Sequence, residues 1–119
     1  MLLNLSNHPS VHWSKKQLEM ALHNYGEVED LPFPNVSPEL STEGVIQLAK
    51  DYTERIAHYS SPITHVHLMG EMTFVVALVR LLQSAGIIVV CSTTNRIVLE
   101  ELNGQKTVKF EFVQFRVYD

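Results

Sequence analysis

Apolar positions arrive in short runs and periodic stripes, and their spacing predicts most of the elements. Leu2 to Leu5 is a short apolar run that ends abruptly in polar residues, as a strand feeding a loop does. Ser14-Lys15-Lys16-Gln17 then has capping-box spacing, with Ser14 as cap and Gln17 reaching back. Leu18, Ala21, Leu22 and Tyr25 follow at i, i+3, i+4 and i+7, the single apolar face of a helix that Gly26 stops. Glu27 to Leu31 reads as a weaker strand whose charges suit a sheet edge. Pro32, Pro34 and Pro38 stiffen a surface connection. Ser37 or Ser41 caps the next helix, with Val45, Leu48, Ala49, Tyr52, Ile56 and Tyr59 facing inward.

Ile63 to Met69 is the third strand and Met72 to Ser84 the third helix, stopped at Gly86. Ile87 to Cys91 is a continuous apolar run, typical of a parallel strand covered on both faces. After Arg96 no helical period remains. Asn103-Gly104 between two β-rich runs is a strong hairpin signal. In the last run, Val108, Phe110 and Phe112 alternate with Lys109 and Glu111, which predicts one buried face and one wet face. The sum is an α/β, Rossmann-like three-layer fold: four mainly parallel strands with flanking helices, closed by a C-terminal antiparallel hairpin. Residues 1–119 form one domain.

Composition narrows the classes. Hydrophobic residues make up 45% and charged residues 18%, a globular balance rather than a disordered one. The net charge of −4 supplies no general attraction for long nucleic acid, so any anion must be held by local groups. The single Cys91 excludes an intramolecular disulfide and, inside an apolar run, reads as a buried structural thiol in a reducing, cytoplasmic setting. The amino terminus lacks the pattern of a signal peptide, and the apolar stretch from Phe74 to Leu82 is far short of the ~20 residues that cross a bilayer. No membrane partner is expected.

Three polar segments follow strand endings: Ser6-Asn7-His8-Pro9-Ser10, Gly70-Glu71-Met72-Thr73 and Ser92-Thr93-Thr94-Asn95-Arg96. Open α/β sheets bind ligands outside the carboxyl ends of their strands. If the first and third strands are neighbours, the switch point lies between the first two loops, where helix N-terminal N–H groups and Gly70 admit an anion. The missing G-x-G-x-x-G argues against a dinucleotide cofactor, and no cofactor is expected. His8 is either a phosphate donor and proton-transfer group or a turn residue packed beside Pro9. Arg96 either grips phosphate together with its hydroxyl-bearing neighbours or pairs with Glu100 or Glu101. Glu71 repels an anion unless bonded to a sugar hydroxyl, and its better use is at its own helix N-terminus. His65 and His67 share a strand face; with no Cys or acid to complete a ligand set they cover a helix rather than hold a metal. No Ser-His-Asp arrangement, H-E-x-x-H, C-x-x-C or Walker loop is legible, so a protein nucleophile has little support.

Taken together, Leu5-Ser6-Asn7-His8-Pro9, His67-Leu68-Met69-Gly70-Glu71, Ser92-Thr93-Thr94-Asn95-Arg96 and the closing run from Val108 to Tyr118 resemble the small stand-alone CARF-like (CRISPR-associated Rossmann fold) proteins of type III CRISPR systems. The resemblance runs over almost the whole chain. It implies a homodimer that binds cyclic oligoadenylate, cyclic tetraadenylate in the first instance, across its two-fold axis, and a ring nuclease that linearises it without metal through attack of a ribose 2′-OH. It implies His8 and Arg96 as catalytic residues, with Ser6, Asn7, Ser10, Gly70, Glu71, Met72, Ser92, Thr93, Thr94 and Asn95 on the ligand. The chain departs from several cleaving relatives in lacking a second basic residue in the first loop. Holding the messenger without cutting it, as a sink or sensor, is the alternative, and a non-enzymatic interaction subunit is another.

Overall fold

A computed structural model describes residues 1–119. The elements are β1 (Leu2–Ser6), α1 (Lys15–Tyr25), β2 (Val28–Asp30), α2 (Thr42–Ala57), β3 (His65–Met69), α3 (Met72–Ser84), β4 (Ile88–Glu100) and β5 (Lys106–Val117), with a 3₁₀ turn at Ser10–His12. The fold is α/β, with one five-stranded mixed sheet of order β2-β1-β3-β4-β5, three helices and a C-terminal antiparallel hairpin. β1 pairs in parallel with both β2 and β3, β3 pairs in parallel with β4, and β4 pairs antiparallel with β5. The chain reverses direction across the sheet between β1 and β3, which leaves a crevice at their carboxyl ends.

Strand alternation sorts the core into two halves. Leu3 and Leu5 of β1 and Val66 and Leu68 of β3 face α2 and α3, packing on Val45, Ala49, Tyr52, Phe74, Leu78 and Leu82. Leu2 and Val90 turn the other way, onto Trp13 and Ala21, with Tyr25 and Phe115 beside them. The period of two therefore places Asn4, Ser6 and His67 on the α1 side as well. That side is thinner, one helix against two, and its polar residues come together where the apolar cover ends.

Capping follows the sequence closely but not completely. Ser14 accepts the Gln17 N–H, and Ser41 accepts that of Gly44. The expected reciprocal bond from the Gln17 side chain is absent, because that amide is buried and donates instead to Ser92 Oγ at 3.0 Å. No helix is long and apolar enough to cross a membrane.

Two expectations for the carboxyl-terminal third need correction. The third polar segment is not a loop: β4 runs unbroken through Ser92–Arg96 to Glu100, because β5 pairs with it as far as Glu100↔Lys106. Long pairing with a β-rich partner overrides the turn preference of Ser92 and Asn95. The apolar alternation of β5 also fails to bury one face, since Phe112 is covered while Val108 and Phe110 are exposed, Phe110 by 63%. The reason is geometric. The hairpin outruns the rest of the sheet, giving extents of 51 × 38 × 24 Å and a radius of gyration of 16.1 Å, against about 13–14 Å for a compact chain of this length. A register shift between Thr93 and Thr94 inserts one extra residue in β5, which brings Phe112 and Phe115 to the same face with rings 4.9 Å apart. Cys91 is only half-buried.

Candidate functional site

At the carboxyl ends of β1, β3 and β4, on the α1 side, lies an open cleft of about 850 Å³, towards the upper end of small-ligand sites. Its walls are the first loop (Ser6, Asn7, His8, His12), the start of α1 (Ser14, Lys16, Gln17), the strand ends (His67, Met69, Ser92, Thr94) and the hairpin from Val108 to Phe112. The floor is unusual for its burial. The chain has four buried polar or charged residues, Asn4, Ser6, Gln17 and His67, and all four belong to one hydrogen-bonded network here. No buried side-chain polar atom is left without a partner.

The direction of each bond in that network follows from its outermost member. Asp30 is a carboxylate and accepts only. Its oxygens take the Ser10 N–H at 3.1 Å, the Ser10 hydroxyl at 2.6 Å and the Asn4 amide at 2.7 Å. Burial pushes the Asp30 pKa up, but the bonds from Ser10 and Asn4 outweigh it and hold the group below its ordinary value. Asn4 Nδ2 donates also to the His8 carbonyl at 3.0 Å. Two obligate acceptors on Nδ2 fix the amide orientation, so Asn4 Oδ1 must be the atom that meets His67 Nδ1 at 2.8 Å and receives the Ser6 hydroxyl at 2.8 Å.

It follows that His67 carries its proton on Nδ1. Nε2 is then an acceptor, and the Ser92 hydroxyl donates to it at 2.6 Å. Burial, and secondarily the charge of His8, lowers the His67 pKa to about 4, so the ring is neutral at pH 7. Trp13 and Phe115 meet it edge-on at 5.3 and 5.6 Å, and Trp13 is held in turn by donating to the His8 carbonyl at 3.0 Å. Ser92 Oγ, having spent its proton on His67 and accepted from Gln17, keeps one acceptor lone pair on the cleft wall.

One arrangement was not legible in the sequence. A serine, a histidine and an orienting amide do stand in hydrogen-bonded series, with asparagine in the place of the acid. They were hidden because the members lie on three strands that only the sheet order brings together. Asn4, Asp30 and Gln17 were missed as well. One signal was available: Asn4 and His67 are each flanked on both sides by apolar residues within their strands, and the two positions pair in register.

The other sequence-derived candidates are divided by the fold. Ser6, Asn7, His8, Ser92 and Thr94 line the cleft, while Ser10 holds Asp30 behind it. Thr93 turns away and donates to the Gln114 carbonyl. Arg96 and Asn95 lie on the protruding part of β4 and outside the cleft wall, with Arg96 opposite Phe110 and so on that residue's face of the hairpin. Neither Glu100 nor Glu101 forms an ion pair with it. Lys16 and Lys109 bring basic groups that the first loop lacks, Lys109 through the hairpin and paired with Glu111 at 3.8 Å.

The second loop is closed. A Cβ at Gly70 would collide with the Phe33 ring, so this glycine admits an aromatic side chain, not a ligand. The N-terminus of α3 is occupied by the chain itself, because Glu71 accepts the N–H groups of Thr73 and Phe74 at 3.1 and 2.9 Å. Those bonds, led by the Thr73 hydroxyl, lower the Glu71 pKa. Met72 is exposed on another surface, beside Leu40, Ile46 and Val76. Gly70, Glu71 and Met72 thus stand apart from the cleft. His65 is likewise separate, bonded to Thr64 and stacked near Tyr25 at 4.7 Å.

A family model described as the uncharacterized protein MJ1673 family matches residues 1–116. No curated protein and no solved structure matches the chain.

Proposed function

The chain belongs to the uncharacterized protein MJ1673 family, and we propose that it is a Rossmann-like, CARF-type protein that binds a cyclic oligoadenylate, cyclic tetraadenylate in the first instance, and linearises it. The observation that carries the reading is the make-up of the cleft. A ligand there meets Lys16, His8 and His12 beside an acceptor at Ser92 and the exposed ring of Phe110. A lysine ammonium and imidazole N–H donors for phosphate, a hydroxyl-directed acceptor and an aromatic face for stacking are the groups a ribonucleotide needs.

Local recognition also suits a net charge of −4, since a compact ring requires no extended basic face. Two copies of the crevice across a two-fold axis would each hold half of a symmetric ring. The reaction asks for an in-line 2′-oxygen and stabilisation of the charge that develops on phosphorus oxygens, leaving a 2′,3′-cyclic phosphate and a 5′-OH. Removal of the messenger in this way would end type III CRISPR signalling.

The test is incubation of the purified protein with labelled cyclic tetraadenylate in excess EDTA, followed by a native gel and chromatography of the products. A shifted band with linear products ending in cyclic phosphate is expected. A shift with intact ring would make the protein a sink, and absence of any shift over a range of ring sizes would overturn the reading.

A further inference from the structure

We propose that Ser92 is the group that takes the proton of the attacking ribose 2′-OH, passing its own proton to His67 Nε2, so that Ser92 and His67 form a directional proton relay that Asn4 and Asp30 orient. This deepens the ring-cleaving reading and rests on it. The geometry assigns the direction. Asp30 orients the Asn4 amide, Asn4 Oδ1 holds the proton of His67 on Nδ1, and Ser92 must then donate inward. Facing the cleft, Ser92 offers an acceptor and no proton. It cannot donate to a phosphate oxygen without giving up the 2.6 Å bond to His67. A ligand hydroxyl is the group it can receive, and the 2′-OH is the ligand hydroxyl whose proton has to leave.

The 2′-O–H proton moves to Ser92 Oγ while the Ser92 proton moves to His67 Nε2. The 2′-O–P bond forms, the P–O5′ bond breaks, and the departing 5′-oxygen takes a proton from water in the open cleft. His67 then returns its extra proton to solvent through Ser92. Burial keeps His67 unprotonated before the reaction, and the phosphates of the bound ring stabilise the imidazolium that forms. Gln17 completes the device, since its amide donates to Ser92 at 3.0 Å and pins the hydroxyl between β4 and α1.

Single-turnover cleavage and equilibrium binding of labelled cyclic tetraadenylate by Ser92→Ala separate the possibilities. Loss of a general base predicts roughly 100-fold slower cutting or more, with ring affinity kept within about threefold. Retained binding with wild-type cutting overturns the relay and leaves the ring-cleaving reading intact. A covalent phosphoserine adduct in the wild type overturns it too, because Ser92 would then be a nucleophile. Failure of the wild type to bind any ring removes the reading and the relay together. Should Ser92→Ala fail to fold, ¹⁵N NMR of the histidine rings in the wild-type protein decides: a protonated Nδ1 and bare Nε2 on His67 are expected, and the opposite tautomer overturns the relay.

Discussion

Two loops stand side by side at the carboxyl end of the sheet, one after β1 and one after β3, and the fold has opened the first and sealed the second. After β1, the backbone is tied down from below: Ser6, Asn4 and Trp13 bind the backbone of His8, and the His8 side chain is left on the cleft wall. After β3, the helix N-terminus is taken by Glu71 and the glycine by Phe33. Both positions satisfy the same topological rule for a ligand site. Only one has unspent acceptors and donors, so topology names the end of the sheet while side-chain accounting names the loop.

Acid has the largest expected effect, and it falls on the open side. His67 is neutral when folded, with a pKa of about 4, whereas an exposed histidine titrates near 6.5. The unfolded chain therefore binds the extra proton first, and stability contributed by the neutral ring is complete above about pH 6.5 and lost as pH falls towards 4, roughly 3 kcal/mol in all. Denaturant titrations at pH 7.5 and 4.5 would show the fall, and His67→Gln would flatten this part of the profile. The depressed Asp30 adds a loss in the same direction at lower pH, as its folded-state pKa is approached.

At the sealed loop, Gly70→Ala should destabilise the protein by about 1–3 kcal/mol, because the added methyl must push Phe33 off its edge contact with Phe74. Cyclic tetraadenylate affinity, measured where the variant is still folded, should stay at the wild-type value. Glu71→Ala should lower the thermal melting midpoint as an ordinary lost cap does, again without change in affinity. A fall in affinity there would mean that the second loop does meet the ligand. The smallest effect is expected at the open end from Lys16→Ala, an exposed helix residue, which should leave the melting curve alone and weaken ring binding about fivefold. Arg96→Ala should weaken ring binding as Lys16→Ala does, because Arg96 stands opposite Phe110, whose ring meets the ligand; unchanged affinity would place the ring in the body of the cleft and off the arm.

The helices and the parallel pairs were legible because period and punctuation agreed. Met72–Ser84 carries an apolar stripe between a polar turn and Gly86, and Leu2 to Leu5 an apolar run before Ser6. The carboxyl-terminal third misled because Ser92 and Asn95 are turn-favouring residues held in a strand by the long pairing with β5, whose extent local composition does not reveal. The site was half legible for a related reason. His8, Ser6 and Asn7 are local to one loop and could be found there. The series Asp30–Asn4–His67–Ser92 spans four strands, and nothing in local spacing joins residues 4, 30, 67 and 92. Strand order alone brings them together.

The most direct measurement is a ¹⁵N-labelled amide spectrum of the protein titrated with cyclic tetraadenylate. Shifts concentrated at Ser6 to His12, Ser92 to Thr94 and Val108 to Phe112, with Gly70 to Phe74 unmoved, are the predicted result. Saturating shifts at Gly70 to Phe74 in place of the first loop, or no shifts at all, would contradict the account.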